Sequence, residues 1–441
     1  MEPNLVLVHM LENALGLAAI LIAVGGVYVA LFRRAIYSIW DPFLLVLVFS
    51  GFGAAVVVYL FAYGLIEVQY LVSYLATQAA FVLGVLWFRP VSPGSFAPDA
   101  PAGAPTDGPF AAMLFLVSAF GYVAAQVAAY AVLGIPLLMQ SRLEMFADAG
   151  AFAVLKRVIE VCGPVAVFLA VHFAFFDETR TVRRTAIAVL LFSVASGFLS
   201  GSKSTFLALV ASMFFYRHFA LRWGRHEWPP NLKRALWVAA IGAGVAAAAV
   251  IAIQTAEDPV NPIGLLLYRL MLSGDVYMYA YPNGVIEQME EGNPILAVFR
   301  GFFGNTGLVP WEQLPPQLGH ELFRYVNPGS EMLLGPNPRH NVFGLRYFGP
   351  WLSPAYSFVL GLSLGFVRNR LYFRVPPTLL GGAIYASLLA AMLAIETDVH
   401  ITIGVLSNLA VLGPLLLFAA HVLHSYLGGR PQASEAAGTP P

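Results

Sequence analysis

Residues 42–63 read PFLLVLVFSGFGAAVVVYLFAY, twenty-two positions without a charge. At about 1.5 Å per residue, a helix of this length spans roughly 30 Å, the thickness of a bilayer's hydrocarbon. Inside hydrocarbon the backbone must bond to itself, so the run is predicted to be a helix. Comparable runs recur near 10–32, 69–88, 110–135, 150–175, 185–200, 204–219, 235–254, 347–367, 376–396 and 402–424. The chain therefore reads as an all-α polytopic integral membrane protein with about eleven transmembrane helices. The alternating ten-residue pattern of a membrane barrel is absent.

Composition agrees. The 441 residues are 59% hydrophobic and only 11% charged, whereas soluble domains carry roughly 25% charged residues. The formal charge is zero and says nothing about partners, and nothing in the chain points to nucleic acid. The one cysteine, Cys162, excludes an intrachain disulfide. The first apolar run is too long for a cleavable signal, and Arg33 and Arg34 follow it rather than precede it.

Basic residues orient the spans. Arg33, Arg34, Arg89, Arg180, Arg183, Arg184, Arg217, Arg222, Arg225, Lys233, Arg234, Arg368, Arg370, Arg374 and Arg430 fall on one side, 15 of 24 basic residues. The short loops opposite hold only Arg142. The positive-inside rule then places the N-terminus outside and the C-terminus in the cytoplasm. The organisation follows: helices one to three in 1–88, a Pro/Ala/Gly-rich cytoplasmic linker at 89–109, helices four to eight in 110–254, a large external loop at 255–346, helices nine to eleven in 347–427, and a disordered cytoplasmic tail at 428–441. The sixth and seventh spans are short, joined at Gly201-Ser202-Lys203-Ser204, and read as half-length helices meeting at a polar tip.

The external loop concentrates the chemistry. It holds Arg269, Arg300, Arg324, Arg339 and Arg346, carboxylates including Asp275, Glu287 and Glu321, the imidazoles His320 and His340, and interleaved aromatics. Arginine offers a fork that matches phosphate oxygens, so Arg269, Arg300, Arg324 and Arg339 are candidates to hold a diphosphate at the membrane surface. Lys203 adds a cation at a glycine turn before a helix N-terminus, although GxxxxGK[ST] is missing. Within a span, Lys156 and Arg157 stand four and three residues before Glu160. A helix can pair these charges internally, or Arg157 can face a ligand. The stretch Ile263–Tyr281 reads as an amphipathic helix lying at the interface, with Arg269 and Asp275 on its polar side. His340, placed by the spacing at the water interface just before a span, can remove a proton near neutral pH, and is more often structural in such a place.

Arg339-His340-Asn341, followed by an aromatic-rich stretch to Gly349 and a span, resembles the motif of bacterial O-antigen ligases and polymerases. The segment LLYRLMLSGDVYMYAYP (266–282) and the GSKST hairpin resemble oligosaccharide repeat-unit polymerases. The chain departs from the ligase-type pattern in that Phe343 and Leu345 straddle a leucine position. The resemblance implies a GT-C-like fold in the bacterial cytoplasmic (inner) membrane. It implies polymerisation of undecaprenyl-diphosphate-linked repeat units into O-antigen, capsule or exopolysaccharide at the outer face. Donor and acceptor would both be lipid-linked oligosaccharides, with membrane lipids and a chain-length regulator as further partners and no cofactor or metal. Arg269, Arg300, Arg324, Arg339, Lys203 and Arg157 would hold the diphosphate, and His340 or Asp275 would act as base.

Two rivals stand beside this reading. An O-antigen ligase, delivering finished glycan to lipid A-core, uses similar parts. A transporter or flippase of lipid-linked sugar is of another class. It should show broken helices around a mid-membrane polar site, whereas the polar residues here are expected to gather outside.

Overall fold

The computed structural model describes residues 3–91, 107–139, 144–146, 150–176, 179–201, 203–224, 231–234, 237–238, 241–242, 244–245, 270–290, 292–330 and 334–428. Among them, α1 (Pro3–Glu12) leads into α2 (Ala14–Phe32), α3 (Pro42–Ala62), α4 (Val68–Leu86), α5 (Gly108–Leu133), α6 (Ala153–Phe176), α7 (Arg180–Leu199) and α8 (Lys203–Ala220). After the expected loop begins come the short helices α9 (Asp275–Ala280), α10 (Arg300–Thr306) and α11 (Leu318–Val326). The chain closes with α12 (His340–Gly365), α13 (Leu379–Leu393) and α14 (Val399–Gly428). No strand occurs among the described residues.

The protein is an all-α polytopic membrane protein: eight helices among the described residues are long and apolar enough to cross a bilayer. The 18-residue α8 and the 15-residue α13 are further apolar helices. The expected span 235–254 and the linker 89–109 lie largely outside the described residues, and the tail from 429 onward wholly so. One expectation is corrected. The sixth and seventh spans are not half-length, because α7 runs for 20 residues and α8 for 18. Ser200 and Gly201 turn the chain between them, with Gly201 at φ +59°.

A second correction shapes the site. The span expected at 347–367 does not start there. Its helix begins at His340 and reverses at Gly349, whose φ of 67° and ψ of 177° suit glycine, ahead of Pro350. The result is a helical hairpin with a first arm, 340–348, and a second arm, 350–365. Phe343 and Phe348 of the first arm stack on Tyr356 of the second. The hairpin tip carries Trp351, 91% exposed.

The second arm lies along α4 through small residues. A Cβ added at Gly361 would sit 2.1 Å from the Phe81 carbonyl oxygen, and one at Gly84 would sit 2.4 Å from that of Phe358. Without a hydrophobic drive between helices in lipid, such backbone approach supplies the packing.

At the end where the basic residues collect, a buried ion pair fastens α3 to the end of this arm. Arg368 donates to Asp41 Oδ2 (2.6 Å), the Ala35 carbonyl (2.8 Å) and Asn369 Oδ1 (2.9 Å), and lies over the Phe43 ring. It sits in a π-helical turn, Phe366–Leu371. Asp41 also caps α3 by accepting from the Phe43 N–H. Next to it, His218 of α8 bridges Tyr37 and Tyr385. At this end too, Asp107 accepts the Leu379 and Leu380 N–H groups at the start of α13.

Candidate functional site

Three interruptions of the bundle meet half-way along α3 and α4. The chain before α9 places Ser273 against the Phe49 carbonyl and Gly274 against Gly53 and Val56. The start of the hairpin and the turn between α13 and α14 join it through the main chain: Arg339 N–H donates to the Thr397 carbonyl and His340 N–H to that of Glu396. Ser50 is the ninth residue of the 21 in α3, and Gln78 the eleventh of the 19 in α4. The junction is therefore central along both helices, not at their ends.

Arg339 is its centre. The guanidinium donates Nε–H to the Ser273 carbonyl (2.7 Å), Nη1 to Glu396 Oε1 (2.5 Å) and Nη2 to the Phe49 carbonyl (2.9 Å). Arginine and glutamate are 3% and 1% exposed at the side chain. The backbone of Arg339 has φ +34°, which costs a non-glycine residue about 1–3 kcal/mol and is held by these bonds. Arg339 was expected to grip a diphosphate; instead it is paired within the protein.

A neutral network continues from it. Gln78 donates to the Tyr28 hydroxyl and to Ser50, Asn341 donates to Gln78 and Thr77, and the Tyr277 hydroxyl donates to Asn341 Oδ1 (2.7 Å). Five elements, α2, α3, α4, α9 and α12, are thereby tied by uncharged groups. His340 is 2% exposed, stacked on Phe81 (4.6 Å between centroids) and bonded through Nδ1 to the Ser357 hydroxyl (2.9 Å). Its Nε2 has no hydrogen-bond partner. The imidazole expected at the water interface thus lies half-way along the bundle. Asp275, half-buried, accepts the Val276 N–H and lies within reach of the Arg339 charge. The stretch expected to lie at the interface is, in its described part, packed against the middle of α3.

A second cluster lies toward the hairpin tip. Six residues along the first arm from His340, Arg346 lies over the Tyr347 ring, and its buried Nε has no partner. Arg300 of α10 also acts on Tyr347. It donates Nε–H to the Pro315 carbonyl (2.7 Å) and lies over Trp311 at 4.9 Å. Helix α11 brings His320 and Glu321. Burial, then the charges of Arg300 and Arg324, hold the His320 imidazole below its ordinary value. Burial lifts the Glu321 carboxyl, opposed by Arg346 and aided by Glu290. Arg324 is exposed at the edge of this cluster. Gly319 seats α11 on the chain entering the hairpin, since a Cβ there would meet the Pro336 carbonyl.

The other expected anion ligands are dispersed. Arg157 donates to the Asn305 carbonyl (2.8 Å), docking α10 on α6, while Lys156 pairs with Glu160 at 3.9 Å as the helical spacing allows. Lys203 begins α8, and its side chain, like all of Arg269, lies outside the described residues. Sequence reasoning passed over Glu396, which looked like the polar end of an apolar run. It also passed over Arg346, His320 and Glu321 as site residues. The i to i+4 apolar spacing around His320 and Arg324 on a short loop helix was the available signal. Among the described residues no cluster of His, Cys, Asp and Glu could hold a metal ion.

Compared with known proteins, the chain matches no family model, no curated protein and no solved structure.

Proposed function

We propose that the protein transfers glycan from a polyprenyl-diphosphate carrier, as a polymerase of lipid-linked repeat units at the outer face of a bacterial cytoplasmic membrane. The observation that carries this reading is the Arg346 guanidinium over the Tyr347 ring, with its Nε buried and unpartnered, in the loop region where Arg300 lies over Trp311. A buried cationic donor without an acceptor favours an anion beside it. A diphosphate offers several acceptor oxygens, and the leaving diphosphate gains charge as the sugar bond breaks, so a fixed cation there lowers the barrier.

Depth decides which base serves. A polyprenyl carrier keeps its tail in hydrocarbon, its diphosphate at headgroup level and its sugar beyond. His340 and Asp275 adjoin the middle parts of α3 and α4, which are long and apolar enough to cross, so in this reading they lie below that level. His320 of α11, whose imidazole is held below its ordinary value by burial and by the charges of Arg300 and Arg324, is the better base for the acceptor hydroxyl. Tyr347 and Trp311 offer faces for sugar rings. Arg324 at the rim would meet the second lipid-linked substrate. The eleven-span count, the external position of the loop and the GT-C-like arrangement belong to this proposal.

Alanine at Arg300, Arg346 or His320, assayed singly by glycan ladder on a gel at matched protein level, should collapse the ladder toward one repeat unit. Full ladders from all three variants would remove this cluster from the chemistry. Free polymer unattached to core, seen in a deletion strain, would assign the ligase reaction instead.

A transporter of the same lipid-linked sugars gains one observation it lacked: the broken helix and buried ion pair half-way along the bundle, the arrangement expected of an alternating-access site. Movement of lipid-linked sugar across vesicles of purified protein, without polymer, would favour it.

A further inference from the structure

The second arm of the hairpin and α4 run side by side in the same direction, since Gly361 meets Phe81 and Gly365 meets Val85. Together they show an inside-out pattern. Helix α4 buries Tyr70, Tyr74, Thr77 and Gln78, while Val68, Val72, Leu75, Ala79, Leu83 and Trp87 are exposed at helical steps of three or four. On the second arm, Trp351, Ala355, Val359 and Phe366 continue one exposed face. Neither stretch carries a charge: 68–88 lies between Glu67 and Arg89, and 347–367 between Arg346 and Arg368. Such a surface suits hydrocarbon and not water. Its two ends are marked alike. Trp351 is 91% exposed at the hairpin tip, and Trp87 is 68% exposed at the basic end, just before Arg89. Counting back from Gly361 sets Trp351 about level with Leu71, in the first turns of α4. The two indoles therefore stand roughly 24 Å apart along the helix axes, of the order of the roughly 30 Å hydrocarbon layer.

We infer that the outward face of α4 and the second arm is a lipid-contact surface bracketed by Trp351 and Trp87, one in each headgroup layer, so that the hairpin tip is anchored in the layer away from the basic end. An indole rests its ring on acyl chains and offers its N–H to ester and phosphate oxygens, which is why tryptophan favours that boundary. The turn at Gly349 and Pro350 then stops at the membrane surface instead of projecting into water as a loop. Arg346, three residues before the reversal, is carried to within about 5 Å of that layer along the first arm. A second copy of this chain or another protein is a poorer occupant, because the exposed stripe holds no charged side chain to select one. The inference concerns a lipid surface alone, and it stands whether or not the protein handles glycan.

The test is fluorescence quenching of the full-length purified protein in phosphatidylcholine vesicles whose chains carry bromine either close to the headgroup or close to the chain end. The share of emission lost in Trp351→Phe, and separately in Trp87→Phe, reports each indole. Each share should be quenched more by the shallow bromines than by the deep ones. Moving the tip indole one turn inward, by Ala355→Trp in the Trp351→Phe protein, should shift its quenching toward the deep bromines. A share quenched by acrylamide in water and untouched by brominated lipid puts that end in solvent. One that neither quencher reaches puts it under protein, and one quenched chiefly by deep bromines sinks it in hydrocarbon. Each of these three results overturns the inference. If Trp351→Phe does not fold, Leu352→Cys in the Cys162→Ser protein, labelled with a fluorophore, is read against the same quenchers with the same outcomes.

Discussion

At the scale of single residues, two arginines of the same loop behave oppositely. Arg339 is satisfied by a carboxylate and two carbonyls, whereas Arg346 keeps a buried nitrogen without a partner. Removing one member of a buried pair typically costs about 3–5 kcal/mol, because the other charge is stranded. Arg339→Met should therefore lower the unfolding temperature sharply in detergent, and Arg339→Met combined with Glu396→Gln should recover much of the loss. A double variant no better than the single one would count against a closed pair. The titration of His320 has a defined sign. Its folded value lies below the ordinary 6.5, so the unfolded chain binds more protons in the window beneath 6.5. Stability contributed there is full above 6.5 and is lost as pH falls through the lowered value. His320→Gln should flatten this acid-side loss in thermal melts recorded against pH. In the proposed reaction, the acid limb of the wild-type rate profile should fall below 6.5.

At the scale of elements, the hairpin 340–365 depends on a backbone that only glycine tolerates and on glycines that let helices touch. Gly349→Ala places a Cβ in a region that costs about 1–3 kcal/mol. Gly361→Val drives methyl groups into the Phe81 carbonyl, already 2.1 Å from the first added carbon. Both should lower the melting temperature, Gly361→Val more severely because α4 cannot recede without disturbing Asn341 and His340. The apolar spans were legible because length and hydropathy suffice to specify a helix in lipid. The break within α12 was not. Gly349-Pro350 signals a turn, but only the packing of Phe343 and Phe348 on Tyr356 converts the turn into a reversal. Nor could spacing reveal that the Glu396 turn lies inside the bundle, since its partner stands 57 residues earlier. The same reversal carries His340 from a presumed surface to the middle, while Arg300 stays toward the tip.

For the whole molecule, the basic residues predict an orientation that chemistry can read. Cys162 is the one cysteine, so a Cys162→Ser background leaves a clean label site. Gln313→Cys and Arg374→Cys place a thiol at exposed positions. A membrane-impermeant maleimide added to intact spheroplasts should label the first and spare the second until the membrane is opened; the reverse pattern would invert the topology. Among the described residues, two buried arginine–carboxylate pairs also divide the bundle. Arg368–Asp41 fastens the basic end, and Arg339–Glu396 fastens the middle.

That second fastening bears on how the protein is made. Arginine 339 leaves the ribosome long before glutamate 396, and each alone is an expensive guest in hydrocarbon. Until the final turn arrives, the nascent protein must hold its broken helix outside the lipid or shield it within the insertion machinery. A chain stopped just short of residue 396 should therefore be recognised as unfinished and degraded, although nearly all of its greasy segments are already in place.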